Sequence, residues 1–282
     1  MTKLLLGINA LKGFLYKLLV DCHIINVPII KNHNNSPVVV SLTSYGRRVK
    51  KCIVYYTIVS LLRQKEQPSR IILWLADDEW DDSTIPSKLY KLKNKGVEIC
   101  YCKDIKSYKK LIPSIKKFPD SIIITFDDDT IYTSDTIGVL MREHYIHKRD
   151  VICLEAKEPI FRNGVPCDYY NWKELDEDSS GLYLFPVGAG GILYPPHSYH
   201  NDIMKEEVFY ECCPKADDIW FWFNCLKVGT NKIFVKKKNS NMSFDNLYQH
   251  FHKGSALAHS NRLKDENDKQ FRSVFEYYNY SI

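Results

Sequence analysis

Apolar and polar positions change their period several times along this chain, and each change marks an element. Leu4, Ile8, Leu11, Leu15 and Leu18 recur at helical spacing, with Lys3, Lys12 and Lys17 toward the flanks. This predicts an N-terminal amphipathic helix, followed by a polar linker over 31–37. A β-branched run, Val38 to Leu42, then predicts a strand that stops at Thr43-Ser44-Tyr45-Gly46-Arg47-Arg48. Helical patterning covers Val49 to Leu62, and a second strand runs from Arg70 to Leu75 into an acidic loop, Ala76 to Asp82. Residues 86–94 look helical up to Gly96, Val97 to Cys102 form a third strand, and Tyr108 to Lys117 a short helix interrupted by Pro113. A fourth strand, Ser121 to Phe126, leads directly into Asp127-Asp128-Asp129.

Strands alternating with helices predict an α/β fold, a mostly parallel Rossmann-like sheet flanked by helices. Ligands of such sheets bind beyond the carboxyl ends of the strands. The clusters at Thr43–Arg48, Asp77–Asp78 and Asp127–Asp129 all follow strands, so they are expected to converge on one edge. From about residue 150 the pattern loosens. Strand-like pieces at Val151–Leu154, Ile192–Tyr194 and Ile233–Val235 and a helix over Asp217–Lys227 are separated by stretches rich in Pro, Gly and Tyr. The expected organisation is an N-terminal helix and linker over 1–35 and one domain over 36–282, with a nucleotide-binding half at 36–150 and an acceptor half at 151–282.

Composition narrows the class. The 282 residues are 45% hydrophobic and 26% charged, which suits a folded soluble protein with ample core. The net charge of +5 suits phosphate-bearing ligands or an anionic surface, and is too small and too evenly spread to argue for nucleic acid. Nine cysteines include no paired C-x-x-C, so no structural zinc site is expected and a reducing cytosol is the natural compartment. In the first helix, Lys12 and Lys17 break the apolar length and no small-residue cleavage site follows, unlike a signal peptide. The stretch is also too short to span a bilayer. It packs on its own domain or a partner, or lies peripherally on the inner membrane surface.

The candidate chemistry sits in the strand-end loops. Three aspartates after a buried strand repel one another unless a cation lies among them, which points to Mg²⁺ or Mn²⁺. The bland alternative is an acidic loop ahead of a helix begun by Thr133-Ser134-Asp135. The turn Thr43-Ser44-Tyr45 with Arg47 and Arg48 offers hydroxyls and guanidinium groups to a base, ribose or phosphate, or merely caps a helix. No G-x-G-x-x-G or G-K-[ST] occurs. Lys109 and Lys110 add charge ahead of the aspartates. Asp217 and Asp218 precede Ile219-Trp220-Phe221-Trp222. A carboxylate against those rings is partly desolvated and suits a general base, while its neighbour can cap the helix. Gly188-Ala189-Gly190-Gly191 allows close backbone approach to a ligand, or a bulge. His250 and His252 are weaker candidates as metal ligands.

In order and spacing, Val-Ser-Leu-Thr-Ser-Tyr, Leu-Ala-Asp-Asp, Thr-Phe-Asp-Asp-Asp-Thr-Ile-Tyr and Asp-Asp-Ile-Trp-Phe-Trp resemble GT-A glycosyltransferases. The likeness is to inverting, family-2-like bacterial enzymes of surface-polysaccharide synthesis, and covers about residues 37–225. The resemblance implies that Thr43, Ser44, Tyr45 and Arg47 bind the nucleotide, with Asp77 on the base. It implies that Asp127 to Asp129 form the D-x-D motif, Asp129 holding the metal and Asp128 lying near the ribose. It implies that Asp218 is the base, and that Gly190 and Gly191 lie along the donor sugar or acceptor. Where the family has Glu-Asp this chain has Asp-Asp, so Asp217 stays an alternative base. The implied partners are a nucleotide-sugar donor, most often a uridine-diphosphate sugar, and a saccharide or lipid-linked saccharide acceptor, with Mn²⁺ or Mg²⁺ as cofactor. A nucleotidyltransferase and a non-catalytic scaffold on the same fold are the rivals.

Overall fold

A computed structural model describes residues 3–30, 37–236 and 265–282, with side chains from residue 11 onward. Helix α1 spans Lys3–Asp21 and packs on the domain through Val20, which meets Tyr56 and Val59 with Tyr16 alongside. Strand β1 (Val38–Thr43) follows, then α2 (Gly46–Lys50), α3 (Ile53–Leu62) and β2 (Arg70–Ala76). The helix expected over Val49–Leu62 is thus broken. Cys52 adopts a left-handed conformation, φ 52°, which ends α2 and lets α3 start in a new direction. The segment expected as a helix over 86–94 is a single turn, α4 (Ser87–Tyr90), tightening into a 3-10 turn that Gly96 terminates. Strand β3 (Glu98–Cys102), a 3-10 turn at Lys106–Lys110, α5 (Ile112–Lys117), β4 (Ile122–Thr125) and α6 (Thr136–Ile146) complete the first half.

The second half supplies β5 (Val151–Cys153) and the short strands β6 (Ala156–Glu158), β7 (Ile160–Arg162), β8 (Val165–Cys167) and β9 (Lys173–Glu174). Then come β10 (Ser179–Gly181), β11 (Phe185–Pro186), β12 (Ile192–Tyr194), α7 (Glu206–Cys212), α8 (Asp217–Lys227), β13 (Lys232–Phe234) and α9 (Glu266–Tyr277). Eight strands form one sheet in the order β10-β13-β5-β12-β4-β1-β2-β3. Strands β4, β1, β2 and β3 run parallel, as do β5 and β13, while β12 runs against both its neighbours. The expected α/β class is what the chain adopts, and both halves contribute strands to the same sheet.

Burial explains the two-sided pattern of the strands. One face carries Val40, Leu42, Ile71, Leu73 and Ile124 against α3 and α6. The opposite face carries Val39, Ile72, Trp74 and Ile123 in a cluster with α7, α8 and α9. Strands buried on both faces read as continuous apolar runs, which is why β1, β2 and β4 are legible in the sequence. In α8, the Trp220 and Trp222 indole N–H groups donate to the carbonyls of Ile203 and Leu184, both at 2.9 Å, so neither buried ring leaves an unmet donor.

Candidate active site

The parallel strands β1 and β4 are neighbours, so the loops that follow them meet. Ser44 Oγ donates to Asp128 Oδ2 at 2.5 Å. Arg48, one turn into α2, spans two carboxylates: Nη1 pairs with Asp128, and Nη2 lies 2.6 Å from Asp129 Oδ2. From α3, Thr57 Oγ1 donates to the Asp128 carbonyl at 2.9 Å. This planar fork on adjacent carboxylates is a task for arginine and not for lysine. Burial works against the Arg48 charge, but Asp128 and Asp129 outweigh it and raise its proton affinity. Asp128 is itself held above the usual aspartate range because burial outweighs the help from Arg48 and Ser44.

Asp127 faces the other way. Its N–H donates to Tyr132 Oη at 3.1 Å, and that hydroxyl donates onward to the Ala189 carbonyl at 3.0 Å, linking the triplet to the glycine loop. Its carboxylate lies 3.6 Å from Lys110 Nζ. The same ammonium is 2.8 Å from Asp217 Oδ2 and 3.1 Å from Asp218 Oδ1, at the first turn of α8. The contact with Asp217 is an ion pair by distance, without an aligned hydrogen bond. Lys110 therefore gathers one carboxylate from β4 and two from α8 around a single buried cation. Burial alone would lower its proton affinity, but Asp217, Asp218 and Asp127 reverse that and keep it charged.

Asp218 is a largely buried carboxylate with one backbone donor. Its Oδ2 accepts the Gly188 N–H at 3.1 Å. Burial pushes its carboxyl up to about 6, against the pull of Lys110 and with help from the charges of Asp217 and Asp127. About a quarter of the side chain, 27%, still reaches solvent, so the group is accessible. Glu155, just past β5, is pushed up to about 7 by burial and by the charges of Asp127 and Glu174. The glycines are where the loop needs no side chain. A Cβ on Gly190 would lie 2.8 Å from Glu155, and one on Gly191, φ +94°, would lie 2.4 Å from the Phe126 ring.

The sequence-predicted residues divide accordingly. Ser44, Asp127, Asp128, Asp217, Asp218, Gly190 and Gly191 belong to this connected set, and Asp129 joins it through Arg48. Thr43 is on the same edge, but its hydroxyl donates to the Trp74 carbonyl at 3.0 Å within the sheet. Tyr45 lies under the Arg48 guanidinium, 5.3 Å from ring centre to Cζ, and is exposed, as are Arg47 and Asp77. Asp77 begins the loop after β2, which reaches the turn after β1 where Gly46 N–H donates to Glu79 Oε2 at 3.2 Å. Lys109 pairs with Asp104, while its neighbour Lys110 enters the cleft. Glu155 carries no sequence motif, whereas Tyr132 ends the Thr-Phe-Asp-Asp-Asp-Thr-Ile-Tyr run and Glu79 lies in the acidic loop after β2, and only the fold shows what each of them contacts. His250 and His252 lie outside the described residues.

Among the described residues no group of three or more His, Cys, Asp or Glu is arranged to hold a metal ion. The carboxylates are hard oxygen donors, the type Mg²⁺ and Mn²⁺ take. Such ions commonly use one or two protein carboxylates and complete their shell with substrate phosphates and water. The residues fit a divalent cation in that shared manner, with the basic groups Arg48 and Lys110 already beside the carboxylates.

No family model matches the sequence, and no curated protein matches it. Among solved structures, the chain is similar to S. aureus TarS 1–349, with a TM-score of 0.45 and 13% identity over 84% of this chain and 78% of that one. It is similar to the CMP:2-keto-3-deoxy-manno-octonic acid synthetase complexed with CTP, with a TM-score of 0.45 and 12% identity over 79% and 98%. A third likeness is to 4-diphosphocytidyl-2C-methyl-D-erythritol synthase, with a TM-score of 0.43 and 6% identity over 80% and 96%. All three scores lie below 0.5, and the likenesses decide neither activity nor substrate.

Proposed function

We propose that this chain is a metal-dependent, inverting glycosyltransferase of the GT-A type. It would move a sugar from a nucleotide-diphosphate donor, a uridine-diphosphate sugar first among candidates, to a saccharide or lipid-linked saccharide in surface-polysaccharide synthesis. The observation that carries the reading is the Lys110 cluster, which sets Asp127 of the acidic triplet within one cleft with Asp217 and Asp218. A donor-side carboxylate and a proton acceptor in one cleft are what glycosyl transfer needs.

The chemistry follows from the groups present. Asp218, held near 6, is mostly ionised at neutral pH and more basic than an ordinary aspartate. It takes the proton of the acceptor hydroxyl as that oxygen bonds to the anomeric carbon. The bond from that carbon to the diphosphate breaks, and its electron pair leaves with the nucleoside diphosphate. Attack opposite the leaving group inverts the centre. Ser44 and Asp128 are offered to the ribose and Arg47 and Tyr45 to the nucleotide, with Asp77 at the base. Asp129 would hold Mn²⁺ or Mg²⁺, with Asp127 the other candidate ligand, and the ion when bound would neutralise charge growing on the diphosphate.

The test is a panel of nucleotide sugars assayed with and without Mn²⁺ for thermal stabilisation and for transfer. Asp218→Asn is expected to abolish transfer while donor affinity stays within about threefold, since the base contributes to the transition state and not to ground-state binding. Asp129→Asn is expected to weaken donor binding only when the cation is present. Full transfer by the Asp218 variant, or release of pyrophosphate from a nucleoside triphosphate, overturns the reading.

A further inference from the structure

Helix α1 has two apolar stripes on opposite faces. Gly13, Tyr16, Lys17 and Val20 turn inward, and Tyr16 and Val20 pack on Tyr56 and Val59 of α3. Leu11, Phe14, Leu15 and Leu18, again at i, i+3, i+4 and i+7, face solvent, Leu11 with 66% of its surface exposed. Ile24 and Ile29, beyond the helix, are exposed as well, at 70% and 63%. Scattered exposed leucines need no explanation, whereas a helical stripe does.

The segment that carries this patch is predominantly basic, although Arg48 within it is taken up by Asp128 and Asp129. Residues 1–66 carry ten Lys and Arg against two acidic residues, Asp21 and Glu66, a net +8. The whole chain is +5, so residues 67–282 sum to −3, and the charge is not evenly spread as its small total implied. Lys12 is exposed beside the outer stripe of the helix, while the Lys17 ammonium lies over the Tyr56 ring, 4.9 Å from its centroid. Arg63 donates to the Asn26 carbonyl at 2.7 Å, beside the Ile24–Ile29 segment. Asp21, the one acidic residue of the helix, is paired with Lys88 at 2.5 Å. Among the described residues no helix is long and apolar enough to cross a membrane.

We propose that α1 docks the protein flat on an anionic lipid surface, with Leu11, Phe14, Leu15 and Leu18 entering the headgroup boundary and the surrounding cations meeting lipid phosphates. A second copy on the same face would bring two strongly positive segments together. A nucleic acid would satisfy the cations and leave the leucines in water. An anionic bilayer matches both features. The proposal is independent of the transferase reading, because docking needs neither donor nor acceptor.

The experiment is vesicle flotation of the full chain, with no nucleotide sugar added, on phosphatidylglycerol–phosphatidylcholine and on pure phosphatidylcholine. Binding is expected on the anionic vesicles, at least about tenfold weaker on neutral ones, and weakened again in about 0.5 M salt. Leu11→Gln with Leu15→Gln is expected to cut binding about tenfold or more with an unchanged melting temperature, because both side chains already face water. The proposal is overturned by no binding to anionic vesicles, or by binding that the double substitution leaves intact. Self-association abolished by the same substitutions also overturns it, since a second copy would then be the occupant.

Discussion

Replacing Lys110 with Met removes the one cation that three carboxylates share while keeping the length of the side chain. Only 8% of the Lys110 side chain is exposed, and its ammonium sits 2.8, 3.1 and 3.6 Å from Asp217, Asp218 and Asp127. Removing one partner of a buried ion pair costs about 3–5 kcal/mol, because the other charge is left uncompensated. Asp127, with 36% of its side chain exposed, is partly screened by water, so its share is discounted and about 3 kcal/mol is the working figure. In a chain of this size that lowers the melting temperature by roughly 6–12 °C near pH 8. The sign of the pH dependence is fixed. Without the ammonium, Asp218 binds its proton more tightly folded than unfolded, and such a group loses stability as pH rises through the folded value. The deficit is therefore largest near pH 8 and shrinks toward pH 5, below the value of about 6 that Asp218 has in the native cluster. Calorimetric melting of both proteins at three pH values measures it. Equal melting temperatures near pH 8, within about 2 °C, or a gap that ignores pH, would refute the shared-cation account. Lys109→Met is expected to cost less, since its partner Asp104 is 44% exposed and can turn to water.

Two further outcomes follow from the same geometry. Transfer by the wild-type protein should rise with pH through about 6 and then level, because Asp218 must lose its proton to act as base; a rate falling with pH across that window would assign the proton chemistry elsewhere. Gly191→Ala should destabilise by about 2 kcal/mol or more, combining a positive φ with a Cβ placed against Phe126, and chemical denaturation with an unchanged midpoint would contradict it.

How much of this was legible in the sequence depends on what each element is made of. Strands β1, β2 and β4 are apolar runs buried on both faces, and α8 begins at the Asp217 read from its pattern. Short strands such as β6 and β9 are held by pairing alone, with no run long enough to show a period. The break at Cys52 is a backbone choice with no glycine to announce it. Lys109 and Lys110 are adjacent in a 3-10 turn and point to different neighbours, so composition gives their presence but only the register says which enters the cleft. Arg48 was visible beside Arg47, yet its fork on two aspartates needs the β1–β4 adjacency. Glu155 follows β5 with no motif around it, and becomes a site residue only because β5 and the glycine loop approach through β12.

The charge count within the cleft ties these pieces together. Asp127, Asp128, Asp129, Asp217, Asp218 and Glu155 face two basic side chains, Arg48 and Lys110, so full ionisation would leave an excess of negative charge. Burial, with the charges of neighbouring carboxylates added to it, raises the proton affinity of Asp218 and Glu155, to about 6 and about 7. On the proposed reading, a nucleotide diphosphate would bring further negative charge beside these carboxylates. A divalent cation, as proposed, would supply positive charge there. The proposed cation thus answers to the charge balance of these carboxylates, whose arrangement Arg48 and Lys110 set.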